Sequence, residues 1–224
     1  MCFFYNRSMT RFRTLLFDLD DTLYDNSNGL WEAIRNRMGD YIQNLLGLTP
    51  DETATLRRNY FTTYGTTLRG LQIHHQVNSD DYLAYVHDLP LDQFLQADHD
   101  LRSMLSSLPH RKFIFTNADD AHAIRVLDIL GVRDCFNGII DVHALGYHCK
   151  PEPEAYQLAM QLAGEEDVSR CLFIDDSPRN LATARRLGFT TILVGNHNMD
   201  QTADYSIANL KDLPELLPEL WVKE

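Results

Sequence analysis

Beyond residue 100 the sequence alternates between short apolar segments and amphipathic segments with helical spacing. The apolar segments have the length and composition of buried strands, and a similar segment opens near Leu15. Short buried strands that alternate with helices form a parallel sheet covered on both faces. With right-handed crossovers, the sequence predicts an α/β fold with a doubly wound (Rossmann-like) parallel sheet. Its later strands are predicted over residues 112–117, 138–142, 171–175 and 190–194.

Between the first two strands the pattern is helical throughout. The second of these helices begins with a capping box, Thr49-Pro50-Asp51-Glu52. On the first helix, Trp31, Met38 and Tyr41 are predicted to be packing residues. No segment in this part of the chain has the pattern of a strand. Helices are predicted over residues 30–45, 50–64, 67–75 and 80–87.

These patterns divide the chain into three parts. A chain of 224 residues has the length of one domain, or of one domain with an insert. We assign residues 12–23 and 96–224 to the sheet domain, and residues 24–95 to a helical insertion placed after the first strand. Residues 1–11 are an N-terminal extension. The tail, residues 210–224, contains two prolines and is predicted to be a surface helix.

Composition narrows the classes of partner. The formal net charge of −12 argues against nucleic acid, because phosphate backbones need a basic face. No apolar segment reaches the roughly 18 residues of a membrane span. None of the four cysteines forms a CxxC pair, so we expect reduced thiols and a cytoplasmic protein.

The first strand ends in an unusual set of polar residues. Asp18 and Asp20 follow the apolar segment two positions apart, and Thr22 adds a hydroxyl. An ionised carboxylate at the end of a buried strand is costly unless something pairs with it. A hard divalent cation is the natural partner for such acids. The segment therefore predicts a metal site with a candidate nucleophile and a candidate proton donor.

The other strands also end in polar side chains. The carboxyl ends of parallel strands meet at one edge of the sheet, where ligands bind in open α/β folds. We expect these side chains to lie with Asp18 and Asp20: Thr116, Asn117, Lys150, Asp175, Asp176 and Asn180.

The charges of this set favour Mg²⁺ and a phosphoryl group. Four carboxylates face one lysine, and oxygen ligands select Mg²⁺ over softer metals. A cation, a lysine and hydroxyls are what a phosphoryl group with charged oxygens requires. One aspartate can then be the nucleophile and a second can transfer protons.

At this point the sequence resembles the haloacid dehalogenase-like hydrolase superfamily. Four motifs carry the resemblance, in the order of the family, between about Thr14 and Gly195. They are Asp18-Leu19-Asp20-Asp21-Thr22, Thr116-Asn117, Lys150-Pro151, and Asp175-Asp176-Ser177 with Asn180. The helical insertion stands where the family places a small mobile cap.

The resemblance implies a role for each matching residue. Asp18 matches the nucleophile and Asp20 the general acid/base, while Thr116 and Lys150 match groups that bind phosphate. The implied Mg²⁺ ligands are Asp18, the backbone carbonyl of Asp20, and Asp176. Asp175 would act through a bound water or by orienting Lys150.

Two further residues have open roles. Asn117 is either a turn residue or a phosphate contact. Arg69, in a glycine-rich segment of the insertion, is either a substrate contact or an ordinary surface arginine.

Two features narrow the implied activity. The dehalogenase branch lacks the second aspartate of the first motif, so Asp20 favours phosphate transfer. The segments Leu19–Tyr24 and Tyr64–Leu71 resemble the pyrimidine 5′-nucleotidase subgroup, which hydrolyses UMP and CMP. Asp21 stands where many family members have glycine, and this departure fits the subgroup.

The expected partner is a small phosphate ester, with a monomer and a homodimer both left open. A phosphatase for phosphoglycolate or a sugar phosphate is the nearest alternative. A receiver-like phosphorylatable switch and a non-catalytic binding module are alternatives from other classes. Receivers lack a long helical insert after the first strand, and a binding module does not need every motif residue intact.

Overall fold

The computed structural model describes residues 11–195 and 202–221. The predicted N-terminal extension lies outside the described residues, apart from Arg11. Within the described part of the chain, six parallel strands form one sheet in the order β3-β2-β1-β4-β5-β6. The doubly wound α/β fold is thereby confirmed. The strands are β1 (Thr14–Phe17), β2 (Arg111–Phe115), β3 (Gly138–Ile140), β4 (Cys171–Asp175), β5 (Thr190–Val194) and β6 (Tyr205–Ile207).

The first strand lies at the centre of the sheet, between β2 and β4. Phe17 at its end is in register with Ile114 on one side and Ile174 on the other. Side chains of β1 alternate between the two faces: Leu15 joins one apolar core and Leu16 the other. The strand order reverses at β1, so a crevice forms beyond its carboxyl end. This crevice receives the polar residues that follow the three central strands.

Helices cover both faces of the sheet. They follow the strands as the apolar periodicity predicts, and glycines at 131, 164 and 188 end three of them in the left-handed conformation. These helices are α5 (His99–Ser107), α6 (Asp120–Leu130), α7 (Pro153–Ala163) and α8 (Pro178–Leu187).

Residues 24–95 contain helices and turns, with no strand among their described positions. The predicted capping box at Thr49 is present, with both of its hydrogen bonds. Ile42, Tyr60, Leu71 and Tyr82 belong to a separate apolar cluster, which also takes in Val142 from beyond β3. Other residues of this range, among them Leu30 and Leu91, are buried in the main core, so the insertion has a small core of its own and also packs against the sheet. Its helices are α1 (Leu30–Leu46), α2 (Pro50–Tyr64), α3 (Thr67–His75) and α4 (Ser79–His87).

The C-terminal part differs from the prediction in two ways. Strand β6 was not predicted, because it is only three residues long and has the polar Ser206 at its centre. The predicted surface helix of the tail is wrong over residues 210–221. Short turns and the four-residue helix α9 (Leu213–Leu216) replace it, and four leucines at helical spacing are buried in the main core. These leucines are Leu210, Leu213, Leu217 and Leu220.

In the described ranges, none of the helices is both long enough and apolar enough to cross a bilayer.

Candidate active site

Lys150 is the centre of the polar cluster at the end of β1. Its ammonium Nζ donates to Asp18 Oδ1 at 2.6 Å and to Asp175 Oδ2 at 2.9 Å. A third bond goes to the carbonyl of Phe115 at 2.7 Å. The side chain is only 1% exposed. Burial opposes its charge, but Asp175 and Asp18 raise the pKa of Lys150, so it stays cationic.

Asp18 directly follows β1 and lies against Lys150. Its second oxygen, Oδ2, accepts a hydrogen bond from the Thr22 hydroxyl at 3.2 Å. Burial raises the pKa of Asp18 to about 7, and Asp175 adds to this effect while Lys150 opposes it. The carboxylate is therefore held in place but incompletely neutralised by its protein neighbours.

Three carboxylates come close enough together to hold a metal ion. Asp18, Asp175 and Asp176 each offer an oxygen within 4.8 Å of the others. Burial raises the pKa of Asp176 to about 9, with further contributions from Asp18 and Asp175. Three carboxylates face the single ammonium of Lys150, so the cluster has more acidic groups than Lys150 can balance. An all-oxygen donor set with excess negative charge fits Mg²⁺.

Both carboxylate oxygens of Asp175 accept hydrogen bonds from neighbouring residues. Besides Lys150, it accepts two contacts from Asn180 Nδ2, at 3.0 and 3.1 Å. Its Oδ1 also accepts the backbone N–H of Ser177 at 2.8 Å. Of the two roles left open for Asp175, this geometry favours the orientation of Lys150. Ser177, a helix N-cap residue by position, makes no capping bond with its side chain.

Thr116 and Asn117 directly follow β2 and lie beside this cluster. The Thr116 hydroxyl accepts the backbone N–H of Ala118 at 3.0 Å. The Asn117 amide bonds the Lys150 backbone twice, donating to its carbonyl at 3.0 Å and accepting its N–H at 2.8 Å. Asn117 therefore holds the loop that carries Lys150.

Asp20 is held by two residues that the motif analysis did not assign. Its Oδ1 accepts bonds from the Tyr24 hydroxyl at 2.5 Å and from His122 Nε2 at 2.9 Å. Burial alone would raise the pKa of Asp20, but His122 and Tyr24 together lower it to about 2. His122 lies in the first turn of the helix that follows Thr116-Asn117, and no motif spacing links this position to Asp20.

The backbone conformation of Asp21 explains why many family members have glycine at this position. Its φ is +61°, a left-handed value that favours glycine and is tolerated by aspartate. Burial and the neighbouring Asp20 raise the pKa of Asp21 to about 6. Its Oδ1 is buried and has no hydrogen-bond partner in the described structure.

The cluster opens into a cavity of about 680 Å³ between the sheet and the helical insertion. The insertion supplies a largely apolar wall that includes Trp31, Met38, Leu83 and Val86. Trp31 and Met38 pack against the apolar clusters, as predicted, and both also line the cavity. Of the predicted site residues, seven line the cavity: Asp18, Asp20, Thr116, Asn117, Lys150, Asp176 and Asn180.

Two polar groups on this wall have no partner. The Tyr82 hydroxyl and Arg57 Nε are buried and make no hydrogen bond within the described residues. The other guanidinium nitrogens of Arg57 contact the Arg35 carbonyl and the Met38 sulfur. Burial raises the pKa of Tyr82, so its hydroxyl is a neutral donor. Sequence patterns gave no signal for either group.

Arg69 is not brought together with the other predicted site residues. Its Nε lies 3.8 Å from Glu152 Oε1, in a half-exposed ion pair. It is not among the described residues that line the cavity.

Comparison with known proteins identifies relatives of this chain. The chain is 31% identical over 197 residues to Phosphate metabolism protein 8 of Saccharomyces cerevisiae, covering 81% of this chain and 61% of that protein. It is 24% identical over 196 residues to the Fructose-1-phosphate phosphatase YqaB of Escherichia coli, covering 81% and 96% of the two chains. The chain therefore spans about three fifths of the yeast relative.

Solved structures share the fold. The HAD-hydrolase YfnB of Bacillus subtilis, in a structure bound to magnesium, aligns with a TM-score of 0.64 at 23% identity. The alignment covers 93% of this chain and 99% of that one. The haloacid dehalogenase-like hydrolase family matches residues 12–188, which is most of the sequence. By this match, the chain belongs to the haloacid dehalogenase-like hydrolase family.

Proposed function

We propose that this chain is a Mg²⁺-dependent phosphomonoesterase that hydrolyses nucleoside 5′-monophosphates, with pyrimidine nucleotides such as UMP and CMP preferred. The main support is the buried Asp18–Lys150–Asp175 cluster, which opens into a cavity with Asp20 on its wall. The names of the yeast and Escherichia coli relatives, which refer to phosphate metabolism and to a sugar phosphatase, agree with phosphate-ester chemistry.

The cluster suits an in-line attack on phosphorus. Lys150 and Thr22 hold the two oxygens of Asp18, so the carboxylate is oriented before substrate arrives. In the proposed reaction an Asp18 oxygen forms a bond to phosphorus as the ester oxygen leaves, giving an aspartyl phosphate. Lys150 balances charge on both the nucleophile and the phosphoryl oxygens.

Asp20 would move the protons of both half-reactions. It gives a proton to the leaving ester oxygen and then takes one from the water that attacks the aspartyl phosphate. The low pKa of Asp20 belongs to the substrate-free site. A phosphate dianion close by disfavours the carboxylate and raises that pKa, which favours the acid form when substrate is bound.

Asp18, the backbone carbonyl of Asp20 and Asp176 would hold the Mg²⁺. When bound, the ion would neutralise the carboxylates and the charge on the phosphoryl oxygens. The excess of carboxylates, Asp18, Asp175 and Asp176, over the single ammonium of Lys150 supports this assignment.

The wall formed by the helical insertion supports a nucleoside as the leaving group. We propose that residues 24–95 act as a cap on a core of residues 12–23 and 96–224. Its apolar side chains suit a flat base, while the Tyr82 hydroxyl and Arg57 Nε are donors that match base carbonyl oxygens. We leave Arg69 out of the phosphate site because it faces Glu152.

A phosphate-release panel with Mg²⁺ tests the proposal. The panel contains UMP, CMP, dTMP, AMP, GMP, phosphoglycolate, ribose 5-phosphate and fructose 1-phosphate. We expect kcat/KM for UMP and CMP to exceed that for the sugar phosphates by at least ~10-fold, the contribution of one or two added hydrogen bonds. A flat profile would contradict the nucleotidase assignment, and absence of phosphate release from every ester would contradict phosphatase activity itself. A sugar phosphate as the best substrate would favour the activity named for the Escherichia coli relative.

A further inference from the structure

A pair of stacked histidines lies directly behind Asp20. His122 is on the first turn of α6, and His87 is the last residue of α4 in the helical insertion. Their ring centroids are 4.1 Å apart with an angle of 19° between the planes. Neither histidine belongs to the four sequence motifs.

His122 fixes one oxygen of Asp20. The imidazole side chain is completely buried, and its Nε2 lies 2.9 Å from Asp20 Oδ1. An ionised carboxylate only accepts hydrogen bonds, so Nε2 carries the hydrogen. The Tyr24 hydroxyl donates to the same oxygen. Because Asp20 Oδ1 accepts both of these hydrogen bonds, Oδ2 is the oxygen that can exchange a proton with the ester oxygen or with water.

His87 is fixed in turn by the sheet domain. Its Nδ1 donates to Asp119 Oδ1 at 2.6 Å, and both side chains are about nine-tenths buried. Arg125 on α6 donates to the His87 carbonyl at 3.0 Å. His87 also lines the cavity. The end of α4 is therefore clamped to α6 at the point where His122 supports Asp20.

We infer that His122 is a positioning residue for Asp20. Because His87 of the helical insertion stacks on the His122 ring, the hydrogen bond from His122 to Asp20 depends on the position of the insertion. The inference rests on the proposed role of Asp20 as proton donor. Its physical basis is the shared Oδ1, which sets the rotation of the Asp20 carboxyl group and aims Oδ2 at the cavity. An insertion that moved away from α6 would remove the ring against which His122 packs.

Variants at position 122 separate positioning from packing. His122→Gln keeps a buried amide donor near the place of Nε2, whereas His122→Leu fills similar space without a donor. His122→Asn, whose amide is too short to reach Asp20, replaces the leucine variant if that protein does not fold. Circular dichroism and the melting temperature report on folding in each case.

The leaving group gives a readout that packing would not change. UMP releases an alkoxide that needs a proton, while p-nitrophenyl phosphate releases a stable phenolate that does not. Since kcat/KM covers the steps up to aspartyl phosphate formation, the ratio of kcat/KM values for these two esters isolates proton donation. We expect His122→Leu to lower the UMP to p-nitrophenyl phosphate ratio by about 100-fold. His122→Gln should stay within about 5-fold of the wild type, because its amide restores the hydrogen bond.

A matched pair tests the part assigned to His87. His87→Phe keeps a stacked ring and His87→Ala removes it. We expect the alanine variant to lower the same ratio by about 10-fold and the phenylalanine variant to lower it far less, since the contact with His122 is retained.

Two results would overturn the inference. Equal losses with both esters in His122→Leu would mean that His122 only packs, and an unchanged ratio would mean that Asp20 does not need it. Asp20→Asn is the reference that separates this failure from a failure of the proposed function. If Asp20→Asn itself leaves the ratio unchanged, Asp20 is not the proton donor, and both that role and the positioning role of His122 are wrong. If Asp20→Asn lowers the ratio and His122→Leu does not, only the positioning role of His122 is wrong.

Discussion

Polar groups around Lys150 at the carboxyl end of the sheet have hydrogen-bond partners, whereas two polar groups on the cavity wall formed by the insertion have none among the described residues. At the end of the sheet, Lys150 makes three hydrogen bonds to Asp18, Asp175 and Phe115. On the wall, the Tyr82 hydroxyl and Arg57 Nε are buried without a partner. A buried donor without a partner costs free energy, and a bound ligand can supply the missing partner where the donor lines a cavity. Under the proposed function, the fold arranges the reacting groups before substrate binds, while the two unpaired donors on the wall would find partners only in the bound substrate.

This difference predicts different consequences for mutation. Changes at the end of the sheet should abolish the reaction for every substrate. Removal of the unpaired groups on the wall should alter the choice of substrate without lowering stability, because a buried donor without a partner does not stabilise the fold.

The largest effect is expected for Asp18→Asn. The amide is a poor nucleophile, so kcat should fall by at least ~10⁴-fold for all phosphate esters. Burial already disfavours the charged form of Asp18, so the neutral amide should leave the protein folded. Steady-state phosphate release and circular dichroism measure the two properties. Wild-type turnover by this variant would contradict the assignment of the nucleophile.

Removal of divalent metal should also affect all substrates. Without the ion, the phosphoryl oxygens lose the cation that would balance their charge beside Asp18, Asp175 and Asp176, and we expect activity to fall by about 10³-fold. Dialysis against EDTA followed by titration with MgCl₂ measures the loss and the recovery. Full activity after thorough dialysis would show that the acids do not hold a required metal.

Tyr82→Phe tests the wall of the insertion. Loss of the hydroxyl should lower kcat/KM for UMP by about 10-fold, the value of one buried hydrogen bond, and leave ribose 5-phosphate unaffected. The melting temperature should stay the same or rise, because the lost hydroxyl has no partner in the folded protein. Equal losses with both substrates would place the effect at the reaction rather than at the base.

The smallest effect concerns a histidine that links the insertion to the sheet domain. His143 lies 3.0 Å from Asp80 on α4 and 2.9 Å from Asp141. Partial burial opposes its charge, but Asp80 and Asp141 raise the pKa of His143 above its usual 6.5. The link is therefore complete below about pH 6.5 and is lost as the pH rises through the folded-state pKa.

The expected contribution of this link is below about 1 kcal/mol, because the His143 side chain is 37% exposed and solvent screens the pair. Melting temperatures of the wild type and His143→Gln between pH 5 and 9 measure it. The difference should shrink as the pH rises. A difference that grows with pH would reverse the assigned sign.

The arrangement of polar residues at the end of the sheet could be predicted because the positions of the strands largely determine it. Parallel strands end at a common edge, so Asp18, Thr116 and Asp175 meet once the strands are recognised. Seven of the residues that the sequence pattern placed at this edge line the cavity. The proposed roles of these residues still await experiment.

Contacts that depend on tertiary packing could not be predicted. Tyr24 and His122 reach Asp20 from different elements, and no spacing rule links positions 20 and 122. Trp31 and Met38 have the spacing of packing residues, and periodicity does not distinguish a core from a cavity wall. Arg69 does not lie in the site, because its guanidinium forms an ion pair with Glu152, which is distant in sequence.

The most direct test of the account is to trap the aspartyl phosphate. In Asp20→Asn with ³²P-labelled p-nitrophenyl phosphate and Mg²⁺, formation of the intermediate needs no acid, but its hydrolysis lacks a base. We predict that acid-quenched protein accumulates label in stoichiometric amount, that hydroxylamine releases it, and that the double variant Asp18→Asn/Asp20→Asn acquires none. Equal labelling of the double variant, or no label on Asp20→Asn while p-nitrophenolate is released, would contradict a phosphorylated Asp18.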